Sequence, residues 1–286
     1  LPKDKLIIWH ARRNIEMLVG LVYKKIFNKN IKILFTSAAQ RDHSKYTKWL
    51  IGNMDAVIAT SAKSGKYLDV PYEIIMHGIN TNTYIPSNDK SRLRKELNLP
   101  DGTLVGCFGR IRFQKGVDLF VNAMIQSCKK NKNLYGIICG QTTPKNIDYL
   151  KELKKKVTDQ KLTKNILFLG EQPSTKLPLL FRSLDIYVAP QRWEGFGLTP
   201  LEAMSSGVPV IASTAGAFEE MVVDNVTGYI MKNEDESTIS NHIENLIKNE
   251  HTMRSMSINS RKRVSEYFDI SSESNKIIEL YQKLLN

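Results

Sequence analysis

Two glutamates with seven residues between them, Glu194 and Glu202, flank the segment Gly195-Phe196-Gly197-Leu198 in the stretch WEGFGLTPLEAMSSGVPVIAS, residues 193 to 213. The order reads as a strand end, a glycine-bracketed loop, a helix start and a second apolar strand. Gly195 and Gly197 keep the backbone thin around Phe196, so the amides from Gly195 to Leu198 can converge on a ligand near a helix start. There, unpaired N–H groups and the helix dipole favour a phosphate. A carboxylate beside such a cradle is a poor phosphate ligand, but it accepts well from the hydroxyls of a ribose or hexose attached to that phosphate. These residue types imply a nucleotide sugar. Glu202 has a second reading, because Thr199, Pro200, Leu201 and Glu202 spell a capping box with proline at the first helical position, worth about 1 kcal/mol to the helix.

Upstream, GRIRFQKG from Gly109 to Gly116 follows an apolar run that reads as a strand. Arg110 and Lys115 sit between glycines that permit tight turns, and both can reach a diphosphate. Sugar transfer from a nucleoside diphosphate builds negative charge on the departing phosphates, which fixed cations and backbone donors stabilise. Cations after a strand are also often merely solvated, and the residues alone leave both readings open. No Asp-x-Asp pair occurs in the chain, so nothing in the sequence points to a metal for this task.

The pair Glu194 and Glu202 with GFGL between them resembles the E-x7-E signature of retaining glycosyltransferases of family 4, and GRIRFQKG resembles that family's Arg and Lys diphosphate clamp. Further segments, WHARRNIEM (9–17), LFTSAAQRDH (34–43), MDAVIATSAKSGKYL (54–68) and MHGINT (76–81), resemble the lipopolysaccharide-core mannosyltransferases of Gram-negative bacteria. The resemblance covers nearly the whole chain. It implies an α/β protein of the GT-B fold with two Rossmann-like doubly wound domains, the N-terminal one incomplete because such proteins usually begin with further βα units and this chain starts at Leu1. It implies transfer of a hexose, mannose from GDP-mannose, to the Kdo region of the lipopolysaccharide inner core. The alternatives are another donor such as UDP-glucose, or a truncated remnant that binds a nucleotide sugar without turnover.

The resemblance also assigns roles. Glu194, Arg110 and Lys115 form the catalytic set, with Glu194 orienting the donor sugar rather than acting as a nucleophile. Gly109, Gly195, Phe196, Gly197, Leu198 and Thr199 bind the donor, and Glu202 takes the ribose hydroxyls in preference to serving as a cap. No cofactor and no metal are expected. The donor ionises toward an oxocarbenium-like species, the acceptor arrives on the face of the leaving group, and the diphosphate serves as the base. Gly216 resembles the first residue of the family's Gly-Gly turn, but Ala217 replaces the second glycine, which limits close backbone approach there. Many family members carry a histidine after the strand that here ends LFTS, where Phe35, Thr36 and Ser37 stand instead.

With 286 residues, 42% hydrophobic and 24% charged, the chain has room for one or two domains with cores of their own. Cys107, Cys128 and Cys139 lack metal or redox spacing and read as buried thiols of a reducing compartment. No apolar run approaches the length of a membrane helix, and no signal-peptide pattern opens the chain. The expected location is cytoplasmic, with peripheral contact at the cytoplasmic face of the inner membrane as a further reading. The net charge of +12 would draw the surface to an anionic bilayer or saccharide, though lysines spread over solvated helix faces account for it equally well. Nucleic acid is not an expected partner, because the basic residues do not interleave with aromatics on a platform.

Short apolar runs alternate with amphipathic stretches, as in parallel strands joined by helices. The spacing predicts a partial N-terminal acceptor-side domain over 1–84, a donor-binding domain over 85–268 and a returning helix over 269–286, with a linker around 79–91. In the first domain it predicts strands at Lys5 to Trp9, Ile31 to Phe35, Ala56 to Thr60 and Tyr72 to Met76. In the second it predicts strands at Thr103 to Phe108, Leu134 to Cys139, Ile166 to Leu169, Ile186 to Ala189 and Val208 to Ala212, with a short one near Tyr229. Ligands of doubly wound sheets sit at the carboxyl ends of the strands, where both candidate phosphate segments fall. His10, Arg12 and Arg13 just past the first strand, with Arg41 further on, are acceptor-side candidates. Their guanidinium groups suit bidentate contact with an acid such as a Kdo carboxylate, while a lone histidine at a strand end is more often structural. A helix from Asn14 to about Phe27 covers a sheet or touches a membrane surface. Ile277, Ile278, Leu280, Tyr281, Leu284 and Leu285 give the last helix an apolar stripe.

Overall fold

The computed structural model describes residues 5–286, which divide into two compact units, 5–78 with 270–286, and 79–269. The first holds β1 (Ile7–Ala11), α1 (Asn14–Lys25), β2 (Ile31–Ser37), α2 (Lys45–Ile51), β3 (Ala56–Ala59), α3 (Ala62–Gly65) and β4 (Glu73–Ile74). Its four strands are parallel in the order β1-β2-β3-β4. Strands buried on both faces need cover on both. Met17 and Leu21 of α1 and Leu50 and Ile51 of α2 pack on Ile31, Ile33, Phe35 and Val57. The opposite face, Leu34, Ile58 and Ile75, is covered by Ile277, Leu280, Tyr281 and Leu284 of the carboxy-terminal helix Ile270–Leu285. Ile278 and Leu285, expected in the same stripe, are exposed, because the buried face is centred on Leu280, with Ile277 and Leu284 one turn to either side, and these two lie beyond its edge. On α1, Leu21 is buried but Ile15 is exposed, as is Ile26 at the end of the helix.

The first strand begins at Ile7 and runs to Ala11, not from Lys5 to Trp9, so His10 lies inside it. The fourth is only two residues long. The first unit ends at Gly78 rather than at residue 84. Residues expected in the linker are fastened to the second unit, with Ile79 N–H donating to Phe268 O at 2.9 Å and the Tyr84 hydroxyl to Glu202 at 2.8 Å.

The second unit continues with α4 (Lys90–Glu96), β5 (Thr103–Phe108), α5 (Val117–Lys130), β6 (Leu134–Cys139), α6 (Ile147–Asp159), β7 (Ile166–Gly170), α7 (Leu177–Ser183), β8 (Ile186–Ala189), α8 (Thr199–Ser205), β9 (Val210–Ser213), α9 (Phe218–Met221), β10 (Gly228–Met231), α10 (Glu236–Lys248) and α11 (Glu250–Tyr267). The carboxy-terminal helix of the chain is α12. All six strands are parallel in the order β10-β9-β8-β5-β6-β7. β5 lies at the centre, the chain winds outward through β6 and β7, then returns to the other side of β5 with β8. That reversal makes a crevice at the carboxyl ends of β5 and β8, the switch point where ligands of doubly wound sheets bind.

One face of this sheet is packed by Phe120, Val121 and Met124 of α5, Leu153 and Val157 of α6, and Ile239 and Ile243 of α10. On the other, Phe181 of α7 meets Phe108 edge to face at 4.8 Å between centroids, and the buried Tyr187 hydroxyl donates to Phe108 O at 3.0 Å. Arg94 fixes the lower rim, bonding Ser183 O and the Asp185 carboxylate at 2.6 to 2.9 Å. The three cysteines are free and buried, which pushes Cys107 and Cys128 up to about 12 and Cys139 to about 11. Among the described residues, no helix is long and apolar enough to cross a membrane.

Candidate active site

The loop after β5 and the loop after β8 rise side by side from the switch point. Gly109 N–H is held by Cys139 O at 2.9 Å, and Phe113 to Lys115 form a single 3-10 turn that ends at Gly116, where α5 begins. Arg192 ties this turn to the second loop. Its Nη1 and Nη2 each donate to the Asp118 carboxylate at 2.8 Å, Nη1 also reaches Phe113 O at 2.7 Å, and Nε reaches Glu234 at 3.0 Å. Its guanidinium lies 3.7 Å from the Phe113 ring centroid, and its backbone N–H donates to Gln114 O at 3.0 Å. Burial alone would raise Asp118, but hydrogen bonds from Arg192 and Tyr149 and the arginine's charge hold it below the usual carboxylate range.

This lacing sets Lys115 against Glu194, whose carboxylate it ion-pairs, with both side chains largely buried. The other Glu194 oxygen accepts Gly195 N–H at 3.1 Å. Gly197 adopts φ 86°, and a Cβ there would stand 2.4 Å from the Phe218 ring and 2.9 Å from Glu194 Cγ. Only glycine lets the loop turn at this distance from the carboxylate. Phe196 is buried, and its carbonyl accepts Ala217 N–H at 3.1 Å. The alanine that departs from a Gly-Gly turn is therefore fully buried, with its amide turned to the loop.

Thr199 is the first residue of α8 and Leu198 its N-cap; no side-chain cap is present. The capping box read from Thr199 to Glu202 does not form. Leu198 already has helical angles, φ −78° and ψ −25°, whereas a capping residue must be extended. Glu202 is directed instead at Tyr84, whose hydroxyl donates to Oε1 at 2.8 Å. Burial raises Glu202 above the usual range and the Tyr84 hydrogen bond opposes the rise, while burial and the neighbouring carboxylate push Tyr84 up. Arg110 is exposed and lines a pocket with Arg112 and Lys145 in which neither Lys115 nor either glutamate takes part.

In the first unit, His10 Nδ1 meets the Tyr281 hydroxyl and Nε2 the Thr36 hydroxyl, each at 2.7 Å. Burial foremost, then the Arg12 charge, lowers its pKa below 6.5 against a smaller opposing effect of Glu16. Arg12 and Arg13 are exposed beside Glu16, which accepts Arg12 N–H at 2.6 Å and lies 4.0 Å from Arg13 Nε. Arg41 is exposed. The structure thus brings Lys115, Glu194, Gly195 and Gly197 together in one unit and His10, Arg12 and Arg13 in the other.

Tyr84, Arg192 and Asp118 escaped the reading of the sequence. Arg192 carried a usable signal, a cation adjoining the WEGFG segment and three residues beyond a buried strand. Tyr84 carried none, since its partner lies 118 positions away. Among the described residues no group of three or more His, Cys, Asp or Glu side chains is placed to hold a metal ion.

The family described as glycosyl transferases group 1 matches residues 89–263, and the chain belongs to that family. It is a glycosyltransferase with a GT-B-like fold. It is 43% identical over 281 residues to the lipopolysaccharide core biosynthesis mannosyltransferase LpsB of Rhizobium meliloti, a match that covers 97% of this chain and 80% of that protein. The C-terminal domain of a glycosyl transferase group 1 family protein, LpcC, from Francisella tularensis is 34% identical over 68% of this chain and 100% of its own, with a TM-score of 0.65. Anabaena HepE, solved with UDP and glucose, shares the fold at a TM-score of 0.85 and 24% identity, covering 96% of this chain and 78% of its own.

Proposed function

We propose that the chain transfers mannose from GDP-mannose, with retention of the anomeric configuration, to the Kdo region of the lipopolysaccharide inner core at the cytoplasmic face of the inner membrane. The observation that carries the chemistry is the meeting of Lys115 and Glu194 at the switch point between β5 and β8. The choice of mannose and of the core acceptor rests on the relatives named for that activity.

In this reading Lys115 and Arg110 stabilise the charge that develops on the diphosphate, assisted by the backbone of the loop through Gly197 and Leu198, Gly109 leaves the phosphates room because it carries no side chain, and no metal is needed. Glu194 accepts hydroxyls of the hexose and orients its C1. Glu202, with one oxygen steadied by Tyr84, accepts the ribose hydroxyls. The bond from C1 to the diphosphate oxygen breaks, the acceptor oxygen bonds to C1 on the same face, and its proton passes to the departing diphosphate. His10, Arg12, Arg13 and Arg41 serve the anionic acceptor. The net charge of +12 favours approach to an anionic surface.

The test is to incubate the purified chain with GDP-mannose or UDP-glucose and Kdo-containing lipid A, then assign the anomer by NMR. An α-mannoside with GDP release is expected. Glucose transfer would replace the donor assignment, and donor binding without any transfer would make the chain a nucleotide-sugar-binding remnant.

A further inference from the structure

Beside the clamp loop, segment 110–114 and segment 141–146 after β6 enclose an open pocket of about 410 Å³. Its charge is one-sided. Arg110, Arg112 and Lys145 line it, and no carboxylate does. The cations next to it are neutralised, Lys115 by Glu194 and Arg192 by Asp118 and Glu234. The three in the pocket form no ion pair with the described residues, and Arg112 Nε is buried without a hydrogen-bond partner. A buried guanidinium nitrogen of this kind is unfavourable unless an acceptor arrives to satisfy it.

The pocket is preformed. Ile111 N–H donates to Gln141 O at 2.9 Å, which fastens its two walls, and Asn146 Nδ2 donates to Thr143 Oγ1 at 2.7 Å, which fixes its rim. We propose that it is a second anion-binding site, distinct from the diphosphate grip, for a saccharide bearing a phosphate or carboxylate group. Arg112 supplies the fork that matches such an oxyanion and Lys145 a point charge. The Gln141 amide and the Thr143 hydroxyl suit the hydroxyls of the ring. The volume lies within the range of small-ligand sites. Arg110 stands at the border with the donor clamp, whereas Arg112 and Lys145 belong to this pocket alone. The inference does not depend on which sugar is transferred.

The test is calorimetric titration of the full chain with glucose 6-phosphate, glucuronate and, as a neutral control, glucose, each with and without saturating GDP. At least one anionic sugar is expected to bind in the presence of GDP while glucose does not. The R112Q/K145Q double variant should bind it at least tenfold more weakly, with GDP affinity within twofold of the parent. Preference for glucuronate assigns the site to an acidic-sugar acceptor, and preference for glucose 6-phosphate to a phosphosugar. Displacement of the anionic sugars by GDP, equal binding by the double variant, or no binding of either anion overturns the proposal. Binding of the anionic sugars without GDP, and its loss in the double variant, involve neither donor nor transfer, so a wrong assignment of donor or acceptor would leave those two readouts unchanged.

Discussion

The ammonium of Lys115 lies against one oxygen of Glu194, and the amide of Gly195 holds the other at 3.1 Å. The cation assigned to the diphosphate and the acid assigned to the hexose are thus direct partners, each fixing the other before any ligand arrives. Removing Lys115 or Glu194 should therefore do more than delete one contact. Lys115→Met and Glu194→Gln are each expected to lower kcat by about 10²- to 10³-fold. The double variant should be little worse than either single one, because the two act as a unit. GDP release under single-turnover conditions measures this, and a loss below threefold in either variant would remove the pair from catalysis.

Burial raises the pKa of Glu202, and the Tyr84 hydroxyl opposes the rise. The ionised acid is the form that accepts two ribose hydroxyls, so donor affinity should fall as pH decreases through this raised value, above the ordinary 4.5. Tyr84→Phe removes the opposing hydrogen bond and should move the midpoint to higher pH. For stability the sign is reversed: the folded protein holds this proton more tightly than the unfolded chain, so Glu202's contribution declines as pH rises through the same window. GDP titrations from pH 4.5 to 8 on both proteins decide it, and an unmoved midpoint would dissociate Tyr84 from donor binding.

Arg192 touches the clamp turn, the start of α5 and Glu234, and none of those bonds reaches the assigned donor residues directly. Arg192→Ala should cost about 2 kcal/mol of stability in urea unfolding and lower kcat by shifting Lys115 relative to Glu194. Arg192→Lys should recover little, since an ammonium cannot make the paired contacts to Asp118. Full activity in both variants would show that the two loops keep their register without it.

Much of this was legible from residue order. The strands at 103–108, 134–139 and 186–189 were bounded by periodicity to the residue, because buried parallel strands are short apolar runs with sharp polar ends. β1 was placed two residues early because Lys5 and the apolar Leu6 carry no signal that separates strand from lead-in. The two-residue β4 is fixed by pairing with Ile58 and Ala59, which no local pattern reveals. At the site, the glycines and glutamates announced themselves by spacing. The partners that aim them, Tyr84 on Glu202 and Asp118 on Arg192, are set by tertiary packing and had no counterpart in sequence distance.

The absence of an acidic pair near the clamp in the sequence, together with cations already in place, leads to a direct expectation. Transfer should proceed at an unchanged rate, within twofold, in excess EDTA, and added Mg²⁺ or Mn²⁺ should not accelerate it. A rate that collapses with the chelator and returns with a divalent ion would contradict the assignment of charge stabilisation to Arg110 and Lys115.

At Gly140, a Cβ would fall 1.8 Å from Gly109 O, so β5 and β6 deliver their loops through a contact of main chain on main chain. Gly140 N–H donates to Gly170 O at 2.8 Å, which extends the same lacing to β7. The strand ends from which these loops leave are therefore joined through main chain at Gly109, Gly140 and Gly170. Segments 110–115, 141–146 and 171–176 thus start from one shared anchor at Gly109, Gly140 and Gly170, and Gly140→Ala is expected to displace the loops together rather than one at a time.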